Sequence, residues 1–219
     1  MKAVVFDLDG VITDTAKYHF RAWKHLAESI GIHIDEAFNE HLKGIGRMDS
    51  LERILKFGGR APDFSEEEKS RLAEQKNEDY RRLIAAMTPN DILPGIQDFL
   101  EELRNAGIKI GLASASKNGP FILKSLQISS YFDTIVDPAK LKKGKPDPEI
   151  FSTAAVQLGA EPRECAGIED AVAGIQSINA AGLFSVGVGV PEDARPDWRV
   201  ASTLELTWDS LRKHWIEKG

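Results

Sequence analysis

The residues of this chain best suited to do chemistry are carboxylates placed directly after apolar runs. Asp7 and Asp9 are separated by one residue, precede Gly10, and follow the short run Ala3 to Phe6. Glu169 and Asp170 follow the run 165 to 168, Ser114-Ala115-Ser116 follows the run 108 to 113, and Lys145-Pro146 stands just ahead of a helical segment. If those runs are strands of one parallel sheet, their C-terminal ends form the rim where ligands bind. Four carboxylates, one lysine and one hydroxyl would then share it. Each like-charge pair at about 4 Å costs on the order of 4 kcal/mol at an effective dielectric of 20, so such a rim calls for a cation. An oxygen-only donor set suits Mg²⁺ rather than zinc, with Asp7, Asp9, Glu169 and Asp170 as candidate ligands. Asp7, at a strand tip, is placed to be a carboxylate nucleophile, and Asp9, in the loop beyond, a general acid and base. Ser114 and Lys145 are suited to hold the oxygens of a phosphoryl group.

The elements that must position these residues alternate. Apolar runs at 3–6, 108–113, 134–136, 165–168 and 184–189 read as strands. Helical periodicity fills the stretch from Pro94 to near Gly107, then 120–127, 148–158, 171–181 and about 208–215. Strand-helix alternation predicts an α/β fold, a Rossmann-like, mostly parallel sheet with helices on both faces and right-handed crossovers. Residues 15–87 break the pattern. Their apolar positions, among them Phe20, Trp23, Ile54, Leu55, Leu72 and Tyr80, repeat with helical spacing throughout. Glycines at 31, 44, 46, 58 and 59 divide them into several helices, and Ser65 with Glu68 forms a capping box. The predicted organisation is a catalytic core of residues 1–14 and 88–219 with a helical cap, 15–87, inserted after the first strand.

Composition narrows the function classes. With 28 basic and 34 acidic side chains in 219 residues, a net charge of −6, the chain offers no electrostatic footprint for nucleic acid or anionic lipid. Cys165 is the lone cysteine, which excludes an intrachain disulfide and a thiolate-rich metal centre. The aspartates near the N-terminus are incompatible with a signal peptide, and the uncharged window 171–191 is interrupted by polar residues and glycines. A cytoplasmic monomer acting on a small molecule, without nucleic-acid or membrane partners, is the expectation.

The motif D-x-D-G-V-x-x-D-T at Asp7 to Thr15, the serine Ser114, Lys145-Pro146 and the pair Glu169-Asp170 occur in the order found in the haloacid dehalogenase superfamily of aspartate-dependent phosphotransferases, which this sequence resembles. The resemblance implies a Rossmann-like core, an obligatory Mg²⁺ and a phosphoaspartate at Asp7. Within the superfamily the chain is most similar to the β-phosphoglucomutase family, through the stretch Asp7 to Ala22, the loop Leu42-Lys43-Gly44-Ile45-Gly46-Arg47, and Ser116-Lys117-Asn118. Gly46 departs from it, standing where a less flexible residue is expected, and beyond Pro191 the similarity supports no functional inference. What it implies is a phosphomutase interconverting β-D-glucose 1-phosphate and glucose 6-phosphate through β-D-glucose 1,6-bisphosphate. The rival is a sugar-phosphate phosphatase of the same superfamily. By the same resemblance His19, Trp23, Lys43, Gly44, Arg47, Ser50 and Lys76 of the cap, with Ala115, Ser116, Lys117 and Asn118 of the core, are the expected sugar-phosphate contacts.

Several of these residues also have plainer readings. His19 lies four residues before Trp23, so it is either a packed histidine or a group gating Asp9. Lys76, between Leu72 and Tyr80, is either a ligand contact or a snorkelling side chain. Arg47, on a glycine-flexed loop, is suited to bidentate capture of a second phosphate. Asp14 and Thr15 read as an N-cap or a hinge, Asp137 as a turn residue before Pro138, and Lys142 and Lys143 as solvated loop charges.

Overall fold

The computed structural model describes residues 1–42 and 45–218. Two compact units are present: Met1–Asp14 with Met87–Gly219, and Thr15–Ala86.

The first unit is built on a six-stranded parallel sheet. Its strands are β1 (Ala3–Phe6), β2 (Lys109–Leu112), β3 (Thr134–Ile135), β4 (Cys165–Glu169), β5 (Phe184–Val188) and β6 (Trp198–Val200), in the spatial order β3-β2-β1-β4-β5-β6. Starting centrally and growing outward on both sides puts the switch in strand order at β1, with β2 and β4 as its neighbours. A crevice at such a switch point is where parallel sheets bind ligands. In register, Phe6 lies opposite Leu112 on one side and Ile168 on the other, so β1 and β2 end level and β4 runs one residue further, to Glu169. Asp7, Ala113-Ser114 and Glu169-Asp170 are thereby brought to one edge.

β1 is buried on both faces, which explains its unbroken apolar run. Ala3 and Val5 belong to a core cluster with Phe151, Ile175 and Ile178, while the Phe6 ring meets Phe99 edge-on at 5.8 Å.

The second unit is helical: α1 (Ala16–Ser29), α2 (Glu36–Asn39), α3 (Arg47–Phe57) and α4 (Glu66–Ile84), closed around Trp23, Leu26, Leu51, Ile54 and Leu55. The Ser65–Glu68 capping box opens α4, with the Ser65 N–H donating to Glu68 Oε2 at 2.8 Å and the Glu68 N–H to Ser65 Oγ at 3.3 Å. The first unit contributes α5 (Ile96–Asn105), α6 (Gly119–Ser125), α7 (Glu149–Leu158), α8 (Val172–Ala181) and α9 (Trp208–Lys218).

Three differences from the sequence reading have physical causes. Pro94 does not open α5; it forms a turn with Gly95, whose φ of +82° caps the helix. β6 was not expected, because three residues after a proline-containing loop carry no legible alternation. Glu169 is the last residue of β4 rather than the first beyond it. No helix among the described residues is long and apolar enough to cross a membrane.

Candidate active site

Asp7 continues β1 by one residue, its N–H donating to Ile168 O at 2.9 Å, so its carboxylate leaves the sheet edge at a fixed point. The chain then turns back on itself. The Ile12 and Thr13 N–H groups both donate to Leu8 O, the Gly10 N–H donates to Thr13 O, and the Leu93 N–H to Ile12 O. Thr13 Oγ1 donates to Asp91 O at 2.6 Å and ties the loop to the segment that returns from the helical unit along the chain. Gly10 has φ +75°, and a Cβ there would lie 2.0 Å from Asp170 Oδ2. The glycine of the D-x-D-G motif is therefore required twice, by the turn and by the neighbouring carboxylate.

Lys145 is the counter-charge. Its Nζ donates to Asp7 Oδ1 at 2.6 Å and to Glu169 Oε1 at 3.4 Å, and it lies 5.1 Å from the centre of the Phe151 ring. Burial works against the ammonium, but the Asp7 and Glu169 carboxylates outweigh it and raise its pKa. Glu169 is moved the other way for an acid: burial, reinforced by Asp7 and Asp170 and only opposed by Lys145, raises its pKa well above the usual carboxylate range.

Asp7, Glu169 and Asp170 each offer an oxygen within 4.8 Å of the others. Lys145 contacts two of these three carboxyl groups, and Glu169 Oε2 is buried with no hydrogen-bond partner among the described residues. An oxygen-only donor set and an orphaned buried oxygen fit a hard divalent cation such as Mg²⁺. Asp9, expected as the fourth ligand, contributes no carboxylate oxygen to this group. Asp9 lies in the loop beyond β1, where its backbone bridges to Thr13.

Ser114 is buried just past β2, and its Oγ accepts the Ser116 N–H at 3.1 Å; Ser116 Oγ in turn accepts the Asn118 N–H at 3.3 Å. This serine turn carries Ala115, Ser116 and Lys117 along one loop into α6.

The helical unit holds a second polar cluster. Lys76, 2% exposed, stands over the rings of Trp23 and Tyr80 at 4.6 and 4.8 Å, and its Nζ is 2.7 Å from His19 Nδ1. Desolvation first, then the charges of Lys76 and Arg47, hold the His19 imidazole well below its ordinary pKa. The His19 ring also stacks on Tyr80, whose hydroxyl donates to Thr15 Oγ1. Arg47 opens α3 and pairs with Glu74 at 3.1 Å; Glu74 also accepts from Asn77 Nδ2 at 3.2 Å. Ser50 is buried one turn further along α3. Lys43 and Gly44 lie outside the described residues. Glu74 and Asn77 escaped the sequence reading, since nothing in spacing separates a polar partner from a solvated helix face; Tyr80 was read only as an apolar helix position.

Thr15 occupies the N-cap position of α1, yet its side chain makes no capping hydrogen bond, so the capping reading fails for that hydroxyl. Asp137 caps the turn after it through the Ala139 N–H, as expected of a turn residue. The Lys142 and Lys143 side chains are exposed, and their backbone N–H groups donate to Glu149 Oε2.

The family model of haloacid dehalogenase-like hydrolases matches residues 1–182. The chain belongs to this family. Among haloacid dehalogenase-like relatives, the β-phosphoglucomutase of Bacillus subtilis is 55% identical over 216 residues, covering 98% of this chain and 96% of the relative. A phosphorylated carbohydrates phosphatase of Thermotoga maritima is 31% identical, covering 84% and 82%. The crystal structure of β-phosphoglucomutase from Clostridium difficile superposes with a TM-score of 0.98 at 52% identity, covering 100% of this chain and 98% of that one. The Rossmann-like core of the family is thus the fold of this chain, and a divalent cation at its acidic trio is the family's chemistry.

Proposed function

We infer that this chain is a phosphomutase that interconverts β-D-glucose 1-phosphate and glucose 6-phosphate. The observation that carries the inference is the near full-length, 55% identity to a β-phosphoglucomutase. The lysine-neutralised carboxylate at the tip of β1 is the group that would do the chemistry.

Asp7 carries the phosphoryl group. Phospho-Asp7 donates it to the C6 hydroxyl of β-D-glucose 1-phosphate: the Asp7 O–P bond breaks, an O–P bond to the sugar forms, and Asp9 takes the hydroxyl proton. The product, β-D-glucose 1,6-bisphosphate, reorients. The Asp7 carboxylate then attacks the phosphorus at C1, and Asp9 returns the proton to the departing sugar oxygen, giving glucose 6-phosphate. Lys145 and Ser114 hold the oxygens of the transferring group. Asp7, Glu169 and Asp170 would hold Mg²⁺, which would supply positive charge to offset the negative charge of the phosphoryl group.

The phosphate not being transferred needs its own cation, and Arg47 has the planar fork for it. Ser116, Lys117 and Asn118 complete the recognition set, together with His19, Trp23, Lys43, Gly44, Ser50, Lys76 and Ala115. The identity to a carbohydrate phosphatase keeps water in contention as the acceptor. One reaction separates the two: β-D-glucose 1-phosphate with trace bisphosphate, with glucose 6-phosphate and inorganic phosphate measured together. A mutase yields glucose 6-phosphate with little phosphate, and phosphate as the dominant product overturns the inference.

A further inference from the structure

Glu169 ends β4 with its carboxylate fully buried, and Gly174 lies in the first turn of α8, five residues on. A Cβ on Gly174 would lie 2.0 Å from Glu169 Cδ, 2.1 Å from Oε1 and 2.2 Å from Cγ, where real Cβ atoms essentially never come within 3.0 Å. The glutamate side chain is folded into the space that any other residue at 174 would occupy.

Local backbone preference does not explain this glycine. Gly174 is absent from the positive-φ glycines, and its N–H donates to Ala171 O at the start of the helix. Alanine is the better helix former there. Nor can the helix easily retreat. Ile175 and Ile178 are fully buried, and on the strand side a Cβ at Gly167 would meet Ile178 at 2.7 Å, so β4 and α8 are in close approach at a second point. Gly10 makes the same kind of room for Asp170, but its φ of +75° would strain any substitution and mask the effect.

We propose that Gly174 is a positioning residue for the divalent-cation site: by lacking a side chain it lets Glu169 fold back against α8 and present its carboxylate beside Lys145, Asp7 and Asp170. The proposal rests on the reading of that trio as a cation site. A displaced Glu169 loses both the Lys145 contact and its place in the trio.

The test uses the full chain and Mn²⁺ as a paramagnetic probe, titrated by electron paramagnetic resonance. Binding by the parent protein tests the cation site itself. Given that binding, Gly174→Ala weakens Mn²⁺ about 10–100-fold, the loss typical when a residue orienting a metal ligand is changed. Metal-free thermal melts add a readout that does not depend on the ion. Gly174→Ala lowers the Tm of the parent but raises it in a Glu169→Ala background, where the space is vacant and only helix propensity acts. Mn²⁺ affinity within twofold of the parent, or the same Tm change in both backgrounds, overturns the proposal. Should Gly174→Ala fail to fold, a folded Glu169→Ala/Gly174→Ala double variant supports it, and failure of both overturns it.

Discussion

Lys145→Ala removes the cation facing Asp7 and Glu169 at 2.6 and 3.4 Å. At an effective dielectric of 20 these separations correspond to about 6 and 5 kcal/mol of attraction. Desolvation of ions this deeply buried opposes that by several kcal/mol each, so the pair as a whole is worth much less than the sum. Removing one partner is a different matter, because it strands two carboxylates in the interior. The expected loss is about 3–5 kcal/mol of metal-free stability, or roughly 6–20 °C in Tm for a chain of this length. The same change makes the acidic trio more negative and more attractive to a cation. Mg²⁺ therefore stabilises Lys145→Ala by more than it stabilises the parent. Urea unfolding with and without Mg²⁺ measures both quantities, and the coupled isomerisation assay should show transfer slowed about 10²–10³-fold, as for loss of one preorganised donor. A metal-free deficit under about 1 kcal/mol, the size expected of an exposed ion pair, or equal Mg²⁺ stabilisation of both proteins, would refute the counter-charge role.

Asp7→Asn abolishes phosphoryl transfer, since an amide neither attacks phosphorus nor carries the charge; labelling with a phosphate donor followed by peptide mapping checks it, and label at another residue moves the nucleophile. Asp9→Asn slows transfer by about 10²–10⁴-fold while bisphosphate binding, followed by calorimetry, stays near that of the parent. Arg47→Ala impairs isomerisation far more than phosphorylation of Asp7 by acetyl phosphate, and equal losses would assign Arg47 a role in the helical unit alone. His19, held below its ordinary 6.5 by desolvation, Lys76 and Arg47, stays neutral in the folded chain while the unfolded chain takes up a proton. A stability penalty therefore builds as pH falls from about 6.5 toward the lower folded value. Histidine NMR titration shows the low pKa directly, and Lys76→Met moves it up.

The candidate site was partly legible in the sequence because Asp7 and the Glu169-Asp170 pair lie at the ends of runs whose burial on both faces leaves an apolar signature, whereas Lys145 stands in a loop ahead of a helix and was marked only by the following proline. Strand ends are short-range features, and a carboxylate placed after one is visible without the fold. The helical character of 15–87 was equally legible, since the 3.6-residue period persists there without interruption. What the linear text does not contain is which side chains meet. Asp7 and Lys145 are 138 residues apart, and only the folded chain brings the loop before α7 to the tip of β1; the register of β1 with β4 likewise brings Glu169 beside Asp7. Tertiary placement also grouped Asp7 with Glu169 and Asp170 within 4.8 Å, a closeness that residues 162 positions apart in the sequence do not announce. It turned Lys76 from a surface lysine into a buried cation between Trp23, Tyr80 and His19, an outcome helical spacing left open. And it gave Gly10 and Gly174 their meaning, since the space a missing side chain leaves is defined only by the groups folded into it.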